Sequence, residues 1–169
     1  LVICTDRSGS MGSVGTKMME GTNFIFNEQR DNLKKDSNKE VIVYMTIFDD
    51  VFEVIRNFES IQTIKDITME EIRPRNTTAL RDSLYKTIEN TEKYEKSLSK
   101  RPNQIIVIVQ TDGEDNESTK INGLQLYDKI TTLKKTGYWK FTFVGSNIDA
   151  IKTGAQFGIS SKNCIQYSS

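Results

Sequence analysis

Short apolar runs alternate along this chain with longer segments of helical periodicity, and that alternation restricts the fold more than any other feature. Residues 1–5 (LVICT), 41–48 (VIVYMTIF) and 105–109 (IIVIV) are near-continuous apolar runs rich in β-branched residues. This is the pattern of strands covered on both faces in a parallel sheet. Residues 14–35 place Val14, Met18, Met19, Phe24, Ile25 and Leu33 at helical spacing. Residues 79–98 do the same with Leu80, Leu84, Ile88 and Leu98, and residues 121–135 with Leu124, Leu126, Tyr127, Ile130 and Leu133, before Gly137 ends the helix. Residues 139–144 (WKFTFV) read as a strand, 149–157 as a short helix and 164–167 as an edge strand. Asp49 and Asp50 form a two-residue turn from which residues 51–58 return antiparallel. The expected fold is an α/β sandwich: a doubly wound, mostly parallel central sheet with one antiparallel strand and helices on both faces. Such a sheet binds ligands at the carboxyl ends of its strands.

Composition narrows the chemistry. The 169 residues fit a single domain, 1–169, and a first residue already inside a strand suggests a piece of a longer chain. There is no histidine, which removes Ser-His-Asp and Cys-His mechanisms and all His-ligated metal sites. Lys plus Arg (23) balances Asp plus Glu (23), so no whole-domain field for a nucleic acid or an anionic membrane is expected. No apolar run approaches a membrane span. Cys4 and Cys164 form no CxxC pair, and no disulfide between them is expected, which points to a cytoplasmic location.

Three polar clusters stand where strands or loops lead toward helices. They are Asp6-Arg7-Ser8-Gly9-Ser10 after the first strand, Asn76-Thr77-Thr78 before the middle helix, and Thr111-Asp112-Gly113-Glu114-Asp115 after the IIVIV strand. In an extended loop, residues two apart face the same way, so Asp6, Ser8 and Ser10 present oxygens to one side. Thr78 adds a hydroxyl and Asp112 a carboxylate. Two carboxylates and three hydroxyls form a hard, all-oxygen set suited to Mg²⁺, Mn²⁺ or Ca²⁺. Neutral hydroxyl ligands leave the cation much of its attraction for an incoming anion, such as an Asp or Glu carboxylate of a protein partner. Each cluster also has a plainer explanation: Ser10 or Ser13 as a helix N-cap, Thr78 as an N-cap, Asp112-Gly113 as a turn pair.

Taken together these residues resemble a von Willebrand factor type A domain carrying a metal-ion-dependent adhesion site. Asp6, Ser8 and Ser10 match the family's DxSxS as DRSGS, Thr78 matches its threonine within NTTALRDSL, and Asp112 matches its aspartate in TDGED. The family's small Gly-Gly pair before the threonine is replaced here by Arg75-Asn76-Thr77. The resemblance implies a Rossmann-like fold. It also implies direct contact of Ser8, Ser10 and Thr78 with the metal, and action of Asp6 and Asp112 mainly through water. By the same resemblance the open position would take a partner's acidic residue, and the last helix, which slides on binding in some members, would correspond to residues 149–157 here.

Other motifs are weaker. In Gly9 to Lys17, Thr16 stands between Gly15 and Lys17, which breaks the Walker pattern. Ser10 lacks both GxSxG and a histidine base. Lys93, Lys96, Lys100 and Arg101 suit the negative end of a helix dipole. The expected function is therefore a divalent-metal-dependent protein-interaction module rather than an enzyme. The alternatives are a metal-assisted phosphoester hydrolase with Glu114 as base, and a metal-stabilised structural subunit of an intracellular complex.

Overall fold

The apolar runs become strands at the positions their pattern predicts. In the computed structural model, which describes residues 1–167, β1 is Val2–Asp6, β2 Ile42–Phe48, β3 Phe52–Ser60, β4 Ile105–Thr111, β5 Trp139–Gly145 and β6 Cys164–Gln166. They form one sheet in the order β3-β2-β1-β4-β5-β6. All neighbours are parallel except β2 and β3, which pair antiparallel. The connection between them is three residues, Asp49 to Val51, rather than the two-residue turn read from the sequence, because Phe48 pairs with Phe52.

The helices are α1 (Gly15–Lys35), α2 (Leu80–Ser97), α3 (Gly123–Lys134) and α4 (Ile148–Gln156). Side chains alternate across the strands and build two cores. On one face Val2, Cys4, Val107, Val109 and Phe141 pack with Leu84 and Ile88 of α2, Leu126 and Ile130 of α3, and Ala150 of α4. On the other face Ile3, Met45, Ile47 and Ile108 pack with Phe26 and Leu33 of α1.

That second face is completed by the irregular segment between β3 and α2, which inserts Ile61, Ile64, Ile67 and Ile72. A segment without regular structure must find partners for its backbone groups elsewhere. Asn23 of α1 both donates to the Ile67 carbonyl and accepts its N–H. Arg30 donates to the carbonyls of Ile61 and Ile64, and Arg56 of β3 to that of Lys65.

The apolar stripes read from the sequence need three corrections. Leu98 lies past the end of α2 and is exposed. Phe24 is 65% exposed, and Phe26 takes the core position on α1. Leu124 (69% exposed) and Tyr127 also face outward on α3, while Leu126, Ile130 and Leu133 are buried. Both cysteines are free thiols, as expected. Among the described residues no helix is long and apolar enough to cross a membrane.

Candidate metal centre

The sheet changes winding direction between β1 and β4, which are neighbours although they are far apart in the chain. Their carboxyl ends lie side by side at this switch point, where a doubly wound sheet opens a crevice. Asp6 closes β1 and Thr111 closes β4. The Thr111 hydroxyl donates to Asp6 Oδ2 at 2.7 Å, and the Ser8 N–H donates to Asp6 Oδ1 at 2.7 Å. The Asp6 side chain therefore forms the floor of the crevice, fully buried.

Beyond Ser8 the chain does not stay extended. It turns into a 3-10 helix, Gly9–Ser13. That turn, rather than strand-like alternation, brings the Ser8 and Ser10 hydroxyl oxygens to 3.1 Å from each other. Ser8 is buried and Ser10 is exposed, so the pair spans the wall of the crevice from floor to rim. The capping roles open to these residues are not used. Ser8 precedes the 3-10 helix without a side-chain cap bond, α1 starts after Val14, and α2 starts after Ala79 with no side-chain cap.

Thr78 is buried in the loop before α2. Backbone bonds tie this loop to the first one: Arg75 N–H to Arg7 carbonyl at 2.8 Å, and Gly9 N–H to Asn76 carbonyl at 3.1 Å. Asn76 has φ +57°, a left-handed backbone that asparagine tolerates better than most residues, in the stretch where the family carries a Gly-Gly pair. On its other side Thr78 binds the third loop. Its carbonyl accepts the N–H groups of Asn116 (3.0 Å) and Glu117 (2.9 Å), and its own N–H donates to the Asn116 side chain at 2.9 Å.

Asp112 is buried just past β4 and accepts the Glu114 N–H at 3.1 Å. Gly113, at φ +89°, lies under α4, and its carbonyl accepts the Thr153 hydroxyl at 3.2 Å. The structure thus brings the loops carrying all five sequence-predicted residues into one hydrogen-bonded unit. Among the described residues, the bonds between the loops run through Asp6, Thr78 main-chain groups and neighbours. The Ser8 and Ser10 hydroxyls bond to each other.

The electrostatics suit a cation. Burial pushes the Asp6 carboxyl up to about 6, against the lowering effect of the Ser8 and Thr111 hydrogen bonds, and the nearby Asp112 charge adds to the rise. Two carboxylates near enough to raise one another repel, and a divalent ion between them would remove that cost. Among the described residues no three Asp, Glu, Cys or His side chains gather as a metal cluster, so an ion here would depend on hydroxyl ligands as well. Two carboxylates with Ser8, Ser10 and Thr78 hydroxyls fit a hard, oxygen-seeking cation and no soft one.

Three neighbouring residues carry weight that the sequence did not reveal. Asp49, read as a turn residue, has a fully buried side chain whose Oδ2 lies 2.5 Å from Arg75 Nε and 3.3 Å from Arg7 Nε. The available signal was an acidic pair directly after an apolar strand, at the sheet edge that carries both arginine-containing motifs. Thr111 and Asn116 were missed because hydrogen bonding across 105 and 38 residues leaves no local pattern.

Sheet order, edge polarity and a polar crevice at the switch point define a doubly wound α/β protein of Rossmann-like type. Within that class the chain has the von Willebrand factor type A fold. It is similar over 99% of its length to manganese-loaded TRAP protein of Plasmodium vivax, at TM-score 0.67 and 18% identity, covering 67% of that chain. It is similar over 99% of its length to proximal thread matrix protein 1 of the mussel byssus, at TM-score 0.63 and 14% identity, covering 41% of that chain. It also matches, over 88% of its length, a von Willebrand factor type A protein of Catenulispora acidiphila, at TM-score 0.50 and 19% identity, covering 33% of that chain. The chain thus spans about two fifths of the mussel protein. No protein-family model and no curated protein matches the sequence.

Proposed function

We propose that this chain is a divalent-cation-dependent protein-interaction module and not an enzyme. Asp6, Ser8, Ser10, Thr78 and Asp112 would hold Mg²⁺, with Mn²⁺ or Ca²⁺ as substitutes. The observation that carries the reading is the buried Asp6 carboxylate, raised by burial and by Asp112, at the foot of two adjacent serine hydroxyls that cap no helix. When bound, the ion would supply Lewis acidity that attracts an acidic side chain of the partner. The protein's own residues keep the donors in place and limit the charge around the ion to two carboxylates. The manganese carried by the structurally similar TRAP protein supports the same assignment. A cytosolic setting belongs to this proposal and is supported by the two free thiols.

The test is capture of a partner in Mg²⁺. The partner should be released by EDTA, should fail to bind Asp112→Ala, and should lose binding when its own acidic residue is changed to an amide. Capture indifferent to chelation overturns the reading. Mg²⁺-dependent turnover of a generic phosphoester that disappears in Glu114→Gln would instead favour the hydrolytic alternative.

A further inference from the structure

A four-charge brace sits beside the candidate metal centre. Asp49 and Glu53 lie at the start of the β2–β3 hairpin, Arg7 lies between Asp6 and Ser8, and Arg75 lies three residues before Thr78. Arg75 Nε donates to Asp49 Oδ2 at 2.5 Å and its terminal nitrogen to Glu53 at 3.2 Å. Arg7 donates to Glu53 Oε2 at 2.6 Å, and its Nε stands 3.3 Å from Asp49 Oδ2. Both carboxylates are therefore shared between the two arginines.

Asp49 makes further bonds with its other atoms. Its Oδ1 accepts the Val51 N–H at 2.7 Å, and its carbonyl accepts the Ala79 N–H at 2.9 Å. Thr78 is consequently bracketed: Arg75 on one side and Ala79 on the other are both fastened to Asp49. Ser8 is fastened to the same point through its neighbour Arg7. Both arginines and both carboxylates are closer to each other than solvent screening acts, and Arg7 and Asp49 are buried. A single buried acid thus spans two of the loops that carry the hydroxyl donors.

We infer that Asp49 is a positioning residue for the cation site, holding the Ser8 loop and the Thr78 loop at the separation that one shared ion requires. This rests on the cation reading above. Asp49 itself is no ligand, since both its oxygens are committed to protein donors. The arginine in the DRSGS motif and the arginine in place of the usual small residue before Thr78 have the same explanation: each is an arm of the brace.

The competing explanation is a through-space charge effect, and the two make opposite forecasts. Asp49→Asn removes a negative charge and Arg75→Gln a positive one. Charge alone weakens Mg²⁺ binding in the first variant and strengthens it in the second. Positioning weakens it in both, by about ten-fold or more, in the range that outer partners of metal ligands contribute. Calorimetric Mg²⁺ titration is paired with amide hydrogen exchange of the metal-free chain. The Gly9, Arg75 and Ala79 amides should exchange at least about ten-fold faster in both variants, while Val107 and Val109 of β4 keep their protection. Opposite shifts in affinity, unchanged loop amides, or equal loss of protection in β4 would each overturn the inference. A parent chain that takes up no Mg²⁺ defeats the cation reading and the purpose given to the brace, whereas the exchange data separately decide whether Asp49 holds the loops.

Discussion

Thr111 donates its hydroxyl to Asp6 at 2.7 Å while its oxygen accepts the Gly113 N–H at 3.1 Å, so one side chain at the end of β4 fixes both the floor of the crevice and the loop of Asp112. Thr111→Val keeps the shape and removes both bonds. It leaves a buried carboxylate oxygen without its donor, which costs about 1–3 kcal/mol. Urea denaturation should show that loss, with recovery in Thr111→Ser. A valine variant as stable as the parent would show that the bond contributes nothing.

Asp6→Asn separates stability from metal binding. The amide oxygen keeps the Ser8 N–H bond, the amide NH2 can donate to the Thr111 oxygen in place of the bond it received, and the repulsion from Asp112 is removed. The metal-free variant should melt at or above the parent temperature, and Mg²⁺ should no longer raise it. A variant that still gains stability from Mg²⁺ excludes Asp6 from the site.

Metal removal has a predictable size in the parent. An ion at 100 times its Kd stabilises the native state by about 2.7 kcal/mol. For a domain of this length that is about 5–10 °C in Tm. Thermal melts in saturating Mg²⁺ and after EDTA should differ by this amount. Coincident melts would mean that no ion binds the native state.

Acid lability should centre on the brace. Burial pushes the Asp49 carboxyl up, but the hydrogen bonds from Arg75 and the Val51 N–H, with the Arg7 charge, more than reverse this and hold it below its ordinary value of 3.8. Glu71 is likewise held below 4.5: burial raises it, and its bonds from Arg56 and Thr68 outweigh that. A depressed carboxylate stabilises the fold fully above its unfolded pKa and loses that contribution as pH falls through the folded value. Stability should therefore drop below about pH 4, and the drop should be shallower in Asp49→Asn, whose Arg7, Arg75 and Glu53 neighbours remain. Urea midpoints between pH 6 and pH 3 measure it. An identical acid slope in the variant would contradict the assignment.

The strands, and the place of the five candidate residues in loops at one end of the sheet, were legible because their signals are local. Apolar runs set β1, β2 and β4, and DRSGS and TDGED follow two of those strands directly. The edge strand β6, Cys164–Gln166, also falls within the segment expected for it. What could not be read was the joining. The Arg7–Asp49–Arg75 brace needs the β2–β3 hairpin to fold back beside two loops, and no spacing in the chain encodes that. Helix faces failed where amphipathicity was ambiguous: Phe24, Ile25 and Phe26 are consecutive, and only packing against Ile3 and Met45 selects Phe26.

Helix α4 is seated by two glycines. A Cβ on Gly113 would come within 2.6 Å of the Ala150 Cα, at a φ of +89° that already disfavours any side chain. A Cβ on Gly145 would collide with the Ala150 methyl. Gly113→Ala should cost about 2–4 kcal/mol from overpacking and backbone strain, with no relief from Ala150→Gly. Gly145→Ala should be destabilising by about 1–3 kcal/mol and should recover in the double variant with Ala150→Gly. Chemical denaturation of the two single and two double variants, with Ala150→Gly alone as the reference, distinguishes a backbone collision from a methyl collision. Equal behaviour of the two glycine positions would refute this account of how α4 sits.

The central claim concerns one ion at the β1/β4 switch point, and anomalous diffraction from crystals grown in Mn²⁺ addresses it directly. The account predicts a single strong peak bounded by the Ser8, Ser10 and Thr78 hydroxyls, with the Asp6 and Asp112 carboxylates beside it. A map with no peak between these side chains, or with the peak held by other residues, would contradict it.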